Sequence, residues 1–343
     1  MNRLVKIPCP LCKNEGDFYP VNNTPIDHNL RKYGDLYSGL GKSEWKVCGN
    51  CGFLHQNPRP SLDDLKQFYL DSKYHEAIPE AWQNTENYIE FARWYYQEKV
   101  EHALKQIPLH QGIVFDIGFG HGGAIKLFSG HGWQVSGIEA DEALFDFAAR
   151  KLKLGLIQKG ILDSKIELGF KVDLVFSNHT FEHIADLHEA MKGMIKILKP
   201  GGFVFTVIPT FYKNRSRRSL EWMHSAHYSL FTHRSLNQLF SYHGLEELCH
   251  TYRGKGKEID ELWHLAKFTG LHDDPKRFYE NWHAIKCYVN IINPFNYAVH
   301  YSLHPRRLIS RIIEFLQRAL TRFFIPTLHP NSKKTQLDEK FDS

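Results

Sequence analysis

A glycine-rich segment in the middle of the chain, GIVFDIGFGHGG at residues 112–123, most constrains how this sequence can fold. An apolar, β-prone run leads to Asp116 and then to glycines at positions 118, 120, 122 and 123. This order predicts a strand that ends in a tight loop and opens a helix. Glycine is needed where the backbone turns with positive φ or approaches a ligand closely. The segment therefore predicts a ligand-binding loop at the end of a sheet strand.

The residues after this loop alternate between patterns typical of helices and of strands. Helices are predicted at 124–131, 143–152 and 185–198. Strands are predicted at 133–138, 172–177 and 203–208, with a last, antiparallel strand at 261–268. This alternation predicts an α/β fold with a parallel sheet whose ligand lies at the C-terminal ends of the strands.

Two cofactor classes compete for the glycine loop. The spacing Gly118-x-Gly120-x-x-Gly123 satisfies the dinucleotide fingerprint, and Glu139 follows about twenty residues later at the predicted end of a strand. An acidic residue at that place binds ribose hydroxyls, which suits NAD. NAD-dependent oxidoreduction is therefore one alternative, although a single fingerprint of this kind has low specificity.

A wider set of motifs resembles the class I S-adenosylmethionine-dependent methyltransferases over about residues 112–268. DIGFGHGG resembles their first motif, SGIEADEA their second, VDLVFSNHTFEHI their central strand and LKPGGFVFTV their helix-strand signature. The resemblance implies a Rossmann-like seven-stranded sheet with S-adenosylmethionine as the cofactor. Within residues 159–163 the family's usual acidic residue is displaced, because Ile161 follows Gly160 and Asp163 comes two positions later.

The same resemblance implies how the cofactor is held. The backbone from Gly118 to Gly120 would face the methionine part, Asp116 would orient the loop or the ammonium group, and Glu139 would bind the ribose diol. The adenine contact would come from Ile161 and backbone groups. The implied cofactor-binding residues are Asp116, Gly118, Phe119, Gly120, Glu139, Ala140, Ile161 and Asn178.

Four of the six cysteines form two CxxC pairs, Cys9 with Cys12 and Cys48 with Cys51. Two such turns supply the closed tetrahedral site typical of structural zinc. Asn14 and Gly52 lie just after the pairs and tolerate the left-handed conformation that these turns use. A rubredoxin-like iron site has similar spacing and stays an alternative, whereas a disulfide pair or a thioredoxin-like redox motif fits less well. A closed site would serve folding and positioning.

The cysteine pairs followed by CGFLHQNPRPS resemble a bacterial methyltransferase subgroup with an N-terminal zinc-ribbon-like domain. Its members act on small molecules that include deoxysugars. In its sugar C-methyltransferases a Glu-His pair precedes a segment ending in Tyr-Phe-Ser. Residues 225–232 match that register at His227, Ser229 and Phe231, whereas Ala226 replaces the glutamate.

Two histidines are the predicted catalytic residues. Methyl transfer from a sulfonium is an in-line displacement that depends on positioning, and a hydroxyl or carbon nucleophile must also lose a proton. Histidine accepts a proton near neutral pH, which points to His227 and His183. The alternatives are structural: His227 would pack a loop, and His183 would support the turn after the central strand. Glu182 is assigned to local structure.

The predicted organisation has four parts: a zinc-ribbon-like module at 1–60, a helical connector at 61–110, the methyltransferase domain at 111–268 and a helical extension with a disordered tail at 269–343. In the extension, residues 306–324 predict a basic amphipathic helix that would lie on a membrane surface or dock on protein. The N-terminus has no signal-peptide core and no apolar run reaches membrane-spanning length, which favours a cytoplasmic protein.

The predicted function is methylation of a small hydroxylated acceptor such as a sugar. The alternative from another class is a non-catalytic module that acts through a partner or a membrane surface. Nucleic acid is not favoured, because a net charge of +5 is spread over 343 residues. In addition, SNHT at 177–180 replaces the acidic-or-Asn-Pro-Pro-aromatic pattern of base N-methylation.

Overall fold

One large sheet and two small antiparallel sheets form the described part of the chain. The computed structural model describes residues 4–21, 44–70, 87–151, 156–211, 222–223, 226–254, 261–271 and 277–291. These residues belong to one unit, residues 1–293. The predicted basic helix at 306–324 lies outside them. Among the described helices, none is both long enough and apolar enough to cross a bilayer.

The described residues of the N-terminal segment form short strands and two helices. The strands are β1 (Leu4–Val5), β2 (Phe18–Pro20), β3 (Trp45–Cys48), β4 (Leu54–Gln56) and β5 (Arg59–Pro60), and the helices are α1 (Leu62–Leu70) and α2 (Asn87–Gln106). β1 pairs with β5, and β2, β3 and β4 lie side by side in an antiparallel sheet. Ser61 caps α1, because its Oγ accepts the Asp64 N–H at 3.2 Å.

The remaining described chain alternates between strands and helices. Its elements are β6 (Ile113–Ile117), α3 (Gly123–Gly130), β7 (Gln134–Glu139), α4 (Glu142–Lys151), β8 (Ile157–Lys159), β9 (Val172–Asn178), α5 (Leu187–Ile197), β10 (Leu198–Pro209), β11 (Ser229–Leu230), α6 (His233–Ser241), β12 (Leu245–Arg253), β13 (Glu261–Phe268) and α7 (Trp282–Ile291). Seven of the strands form one sheet in the order β12-β13-β10-β9-β6-β7-β8. The strands from β10 to β8 are parallel, and β13 is antiparallel to both of its neighbours. The predicted sheet with an antiparallel last strand is confirmed.

The strand order reverses between β6 and β9, which are neighbours in the sheet although β7 and β8 come between them in the chain. Ligands of open α/β sheets bind beyond the C-terminal strand ends at such a switch point. The glycine loop after β6 and the residues after β9 therefore meet where this fold places a ligand.

The central strand β9 is buried because helices cover both faces of the sheet. Successive side chains point to opposite faces. Val175 belongs to one apolar cluster together with Met191 of α5. Phe176 belongs to the other, where its ring meets Phe128 of α3 edge-on, with 5.3 Å between ring centroids. Burial on both faces explains why this strand reads as a continuous apolar run in the sequence.

Two parts of the large sheet differ from the prediction. Residues 199–202, between the predicted helix at 185–198 and the predicted strand at 203–208, already lie within β10, whose register against β9 shifts between Leu198 and Phe203. The strand β12 was not predicted at all. It is an edge strand of the sheet, and buried or half-buried positions alternate with exposed ones along most of it. Because polar residues occupy most of the exposed positions, its sequence lacks the continuous apolar run of a central strand.

The N-terminal sheet includes a strand from a distant part of the chain. β11, which follows β10, pairs with β4 and completes a four-stranded sheet in the order β11-β4-β3-β2. In addition, Trp282 of α7 stacks on Tyr19 of β2 with 3.7 Å between ring centroids. In the chain, β11 precedes the last two strands of the large sheet and α7 follows them. The cysteine-containing segment therefore contacts residues from before and after those strands.

Candidate active site

The glycine loop after β6 is closed on one side and open on the other. Gly118, Gly120 and Gly122 have φ values of 66°, 57° and 80°, which L side chains rarely adopt. A Cβ at Gly118 would lie 2.6 Å from Thr180 Oγ1, whereas a Cβ at Gly120 would meet nothing within 4 Å. The backbone at Gly120 therefore borders open space at the switch point, where a ligand can approach it.

A buried carboxylate holds this loop from the neighbouring strand. Glu139, at the end of β7, accepts the Gly120 N–H on Oε2 at 2.7 Å and the Asp141 N–H on Oε1 at 2.9 Å. Asp116, at the penultimate position of β6, is 3% exposed. The two acidic residues that the sequence singled out thus lie on adjacent parallel strands beside the loop.

Burial strongly affects the protonation of both acids. Burial, with a smaller contribution from Glu139, raises the pKa of Asp116 well above its ordinary value. Burial also raises the pKa of Glu139 to about 7, although the backbone N–H groups of Asp141 and Gly120 oppose the rise. A cationic or hydroxyl-rich ligand near this pair would stabilise the ionised forms.

Glu139 should make the fold less stable as the pH rises. Its folded-state pKa of about 7 exceeds the ordinary value of 4.5. Its stabilising contribution is therefore complete below the unfolded pKa and is lost as the pH rises through the folded one. The loss amounts to about 3 kcal/mol. Urea unfolding from about pH 5 to about pH 8 should show wild type losing stability relative to Glu139→Gln, and a constant difference between the two proteins would contradict the prediction. Subtracting the unfolding free energy of the variant from that of wild type removes the contribution of cysteine titration, which both proteins share.

The other predicted cofactor residues fall into two groups. Ile161, after β8, is 37% exposed, and Ala140 is half-buried beside Glu139. Phe119 points away from the loop, because its side chain is buried with Ile125 and Ala148. Only the backbone of Phe119 is therefore available to a ligand, and its assignment to the cofactor site stays a prediction.

A buried polar network lies at the C-terminal end of β9. Lys99 of α2 donates to Asn178 Oδ1 at 2.9 Å and to Glu261 Oε1 at 2.8 Å. The same glutamate oxygen lies 2.8 Å from His179 Nε2. The Lys99 ammonium also lies 3.7 Å from the centroid of the Tyr95 ring. The predicted site residue Asn178 is thus held by a lysine whose side chain is only 5% exposed.

Neighbouring groups of opposite charge shift one another's pKa values within this network. Burial disfavours a charge on His179, but Glu182 and Glu261 together raise its pKa to about 9. Burial likewise opposes ionisation of Glu261, but His179 and Lys99 hold the pKa of this carboxyl well below its ordinary value. Near neutral pH the network therefore contains a protonated His179 facing an ionised Glu261. Burial lowers the pKa of Lys99, and the neighbouring Glu261 opposes this change.

The two predicted catalytic histidines lie side by side. The rings of His183 and His227 are 4.7 Å apart between centroids and nearly perpendicular, at 79°. His183 Nδ1 donates to the Ala226 carbonyl at 2.8 Å, and His227 Nδ1 donates to the Trp222 carbonyl at 2.7 Å. Because a neutral imidazole has one donor and one acceptor nitrogen, these bonds assign the lone pair of each ring to Nε2.

The four predicted metal ligands converge on one point. The Sγ atoms of Cys9 and Cys51 are 3.7 Å apart, as are those of Cys12 and Cys48, and all four lie within 4.8 Å of one another. A tetrahedron with metal–sulfur bonds of about 2.3 Å has edges of about 3.8 Å. These separations exclude disulfides, whose sulfur atoms lie about 2.05 Å apart.

The turns around the cysteines are built alike. The fifth residue of each turn donates its N–H back to the first cysteine's carbonyl, from Lys13 to Cys9 at 2.9 Å and from Gly52 to Cys48 at 2.9 Å. Lys13 and Gly52 have positive φ values of 61° and 74°. The prediction for Gly52 is confirmed, and that for Asn14 is wrong by one position. Asn14 instead directs Nδ2 toward Cys48 Sγ at 3.8 Å.

The cysteine-containing sheet also positions His227. Gln56, the last residue of β4, donates from Nε2 to the His227 carbonyl at 2.6 Å, and its N–H donates to the Tyr228 carbonyl at 2.9 Å. From the other side, the Tyr228 N–H donates to the Glu182 carbonyl at 2.7 Å. The segment that carries His227 is therefore fixed between the N-terminal sheet and the turn after β9.

Sequence reasoning missed Lys99, Glu261 and Gln56. One signal was present for Lys99, since it follows Tyr95 and Tyr96 at spacings of four and three residues and precedes Ala103 by four. That spacing places a lysine on the buried face of the helix. Glu261 and Gln56 stand at strand ends, where polar residues are common and no pattern distinguishes a buried one.

Comparison with known proteins finds similarity to methyltransferases over part of this chain. Residues 88–250 match a family profile described as a methyltransferase domain. C-methyltransferase NovU of Streptomyces niveus is 27% identical over 160 residues, which cover 43% of this chain and 36% of that protein. The match thus spans about a third of the relative's own length.

Solved structures of methyltransferases also match part of this chain. A complex of geranyl diphosphate C-methyltransferase from Streptomyces coelicolor with Mg²⁺, geranyl diphosphate and S-adenosyl-L-homocysteine is 15% identical, with a TM-score of 0.44 over 60% of this chain and 97% of that one. An S-adenosylmethionine-dependent methyltransferase from Clostridium acetobutylicum is 13% identical, with a TM-score of 0.41 over 54% of this chain and 100% of that one.

Proposed function

We propose that this protein is a class I S-adenosylmethionine-dependent methyltransferase that acts on a small hydroxylated molecule, such as a sugar. The observation that carries the proposal is the clamp between Glu139 and the Gly120 N–H, at the switch point of a seven-stranded sheet. It places a buried carboxylate beside an open stretch of glycine backbone. Residues 88–250 match a methyltransferase domain, which supports the same chemistry.

In this proposal the cofactor lies across the ends of β6, β7 and β8. The backbone around Gly118 and Gly120 faces the methionine part, with Asp116 behind the loop. Glu139 accepts hydrogen bonds from the ribose diol, with Ala140 beside it. The half-open side chain of Ile161 offers an apolar surface for adenine, and Asn178 closes the site toward β9. Ile161 follows β8 and is 37% exposed, so its side chain is accessible to a ligand.

The acceptor side of the site contains His183 and His227. A nucleophilic oxygen or carbon must lose its proton as the methyl group leaves the sulfonium. Nε2 of either ring can take that proton, because Nδ1–H of each ring is already bound to a backbone carbonyl. The buried position of His227, 3% exposed, favours an acceptor small enough to be enclosed. The similarity to a C-methyltransferase leaves carbon as an acceptor atom, although Ala226 stands where that chemistry has a glutamate.

We also propose that the four cysteines bind a structural zinc ion. Sulfur atoms 3.7 Å apart fit the edge of a zinc tetrahedron. Asn14 and Asn50 direct their side-chain N–H groups toward Cys48 and Cys12, which would stabilise thiolates. An ion with four protein ligands has no open position, so its part is to hold β3 and β4 in place and, through Gln56, the His227 segment.

The proposed domain division is a zinc module at 1–60, a connector at 61–110, the methyltransferase domain at 111–268 and a C-terminal extension at 269–343. Pairing of β11 with β4 indicates that the first and third parts function as one body. The acceptor would reach the site between them.

Isothermal titration should show S-adenosylhomocysteine binding in the micromolar range, and labelled S-adenosylmethionine should transfer its methyl group to a sugar-nucleotide or related hydroxylated acceptor. Single replacements of His183 and His227 by asparagine should lower turnover more than cofactor affinity. Absence of cofactor binding, together with binding of NADH, would reject the proposal.

A further inference from the structure

Three side chains that can bind a metal converge beside the glycine loop. Glu182 and His183 lie in a 3-10 turn at Phe181–His183, directly after β9, and His227 lies on the segment that leads to β11. Each offers one ligand atom, and the three atoms lie within 4.8 Å of one another. The backbone bond from the Tyr228 N–H to the Glu182 carbonyl, 2.7 Å long, joins the two segments without using any of these side chains.

The carboxylate of Glu182 is buried without a hydrogen bond. Its side chain is 1% exposed, and within the described part of the chain neither Oε1 nor Oε2 accepts a hydrogen bond. Its nearest cationic neighbour is His179, whose Nδ1 lies 3.4 Å from Oε1. Burying a carboxylate that lacks hydrogen bonds costs several kcal/mol. A group that supplies positive charge and direct ligation would remove that cost.

The two histidines are oriented as metal ligands are. A ligating imidazole usually donates its second N–H to a carbonyl or carboxylate, which fixes the tautomer and raises ligand basicity. Both His183 and His227 make such a bond from Nδ1 to a backbone carbonyl.

The spacing of the ligand atoms suits a small dication. His227 Nε2 and Glu182 Oε1 are 3.9 Å apart. Two ligands at about 2.1 Å from a common ion lie at most about 4.2 Å apart. The widest separation that the cluster allows, 4.8 Å, exceeds this limit by about 0.6 Å. Small side-chain rotations are enough to close it.

We propose that Glu182, His183 and His227 bind one divalent transition-metal ion of the Zn²⁺, Fe²⁺, Mn²⁺ or Co²⁺ type. Two imidazoles and one carboxylate are the ligand set that such ions use in sites with open coordination positions. The open positions would receive oxygen atoms of the acceptor. That last role rests on the proposed function, whereas the binding of the ion does not.

The ion would change what the histidines do. With Nε2 of both rings ligated, neither is free to take a proton, and the dication instead lowers the pKa of an oxygen bound to it. The four-cysteine site and this one would then differ in kind, since the first is closed and the second is open.

The test is a Co²⁺ titration of the full-length protein purified with its cysteine-bound ion in place. Wild type should bind one additional Co²⁺ per chain, with the weak visible absorption of a nitrogen- and oxygen-ligated ion and no sulfur-to-cobalt charge-transfer band. Glu182→Gln and His183→Gln should each weaken this binding by at least about 100-fold, more than the loss of a second-shell partner costs. Glu167→Gln removes an exposed carboxylate elsewhere and should bind Co²⁺ as wild type does.

Two results would overturn the proposal: wild type takes up no additional Co²⁺, or Glu182→Gln and His183→Gln bind it as tightly as wild type. A charge-transfer band from the added ion would equally reject it, because the ion would then sit at the cysteines. Circular dichroism identifies a variant that fails to fold, in which case the other variant decides. S-adenosylhomocysteine titration of the same samples tests the proposed function separately, so loss of cofactor binding with Co²⁺ retained would reject only that function.

Discussion

Replacing Gly120 with leucine is expected to abolish S-adenosylhomocysteine binding while the fold persists. The new Cβ would meet no protein atom within 4 Å, so the side chain would occupy the open space beside the loop. The expected loss of affinity is at least about 100-fold, or about 2.7 kcal/mol. Holding an L-residue at φ 57° costs a further 1–2 kcal/mol of stability, roughly. Isothermal titration measures the first effect and urea unfolding the second.

The matched control for this variant is Gly169→Leu. Gly169 also has a positive φ, 71°, and also has nothing within 4 Å of a Cβ. It precedes β9 and therefore lies near the N-terminal ends of the parallel strands, whereas the glycine loop lies at their C-terminal ends. It should lose similar stability and keep cofactor affinity. If both variants bind equally well, or both equally poorly, the open space at Gly120 is not the cofactor site.

Cys48→Ser is expected to produce the largest loss of stability. Structural zinc contributes roughly 10–16 kcal/mol of apparent binding free energy in small zinc domains, and loss of one of four ligands removes a large part of it. Cys48 is fully buried, in the same apolar cluster as Phe53 and Phe231, so the damage should reach the large sheet. Metal analysis should show loss of bound zinc, and thermal unfolding should show a lower midpoint.

The effect of Cys48→Ser should extend to methyl transfer. β4 pairs with β11, and Gln56 donates to the His227 carbonyl at 2.6 Å. An N-terminal sheet that has lost its ion would therefore no longer hold the His227 segment. Cys287→Ser is the matched control, because Cys287 is exposed and outside the cluster. A Cys48→Ser protein with wild-type zinc content and stability would contradict the assignment of this cysteine as a ligand.

Local sequence patterns predicted most of the large sheet because each pattern carries its own physical requirement. β9 needs apolar residues on both faces, and the loop after β6 needs glycines at positive φ. The edge strand β12 escaped prediction, since an edge strand with one open face mixes polar and apolar residues. Residues 199–202 lie outside the predicted strand at 203–208, because proline and glycine are typical of helix ends but also fit an irregular strand start.

Within the candidate site, the sequence indicated those residues that can be recognised from their spacing along the chain. Asp116, the glycines and Glu139 follow one another at distances typical of a strand, a loop and the next strand end. Lys99 and Glu261 could not be found in this way, because they are 162 residues apart and meet only when α2 packs against the sheet. A buried charge pair depends on which elements become neighbours, and spacing along the chain does not encode that.

The sequence by itself determined that this chain forms an α/β sheet with a glycine loop after one of its strands, and that four of its cysteines form two pairs capable of enclosing an ion. Only the tertiary structure decided that Glu182, His183 and His227 meet. It also decided that β11 pairs with β4 of the N-terminal sheet and thereby fixes the His227 segment. The reason is physical. Turns and strands follow from short-range sterics and burial, whereas a cluster of acceptor atoms forms only where distant segments are brought together by packing.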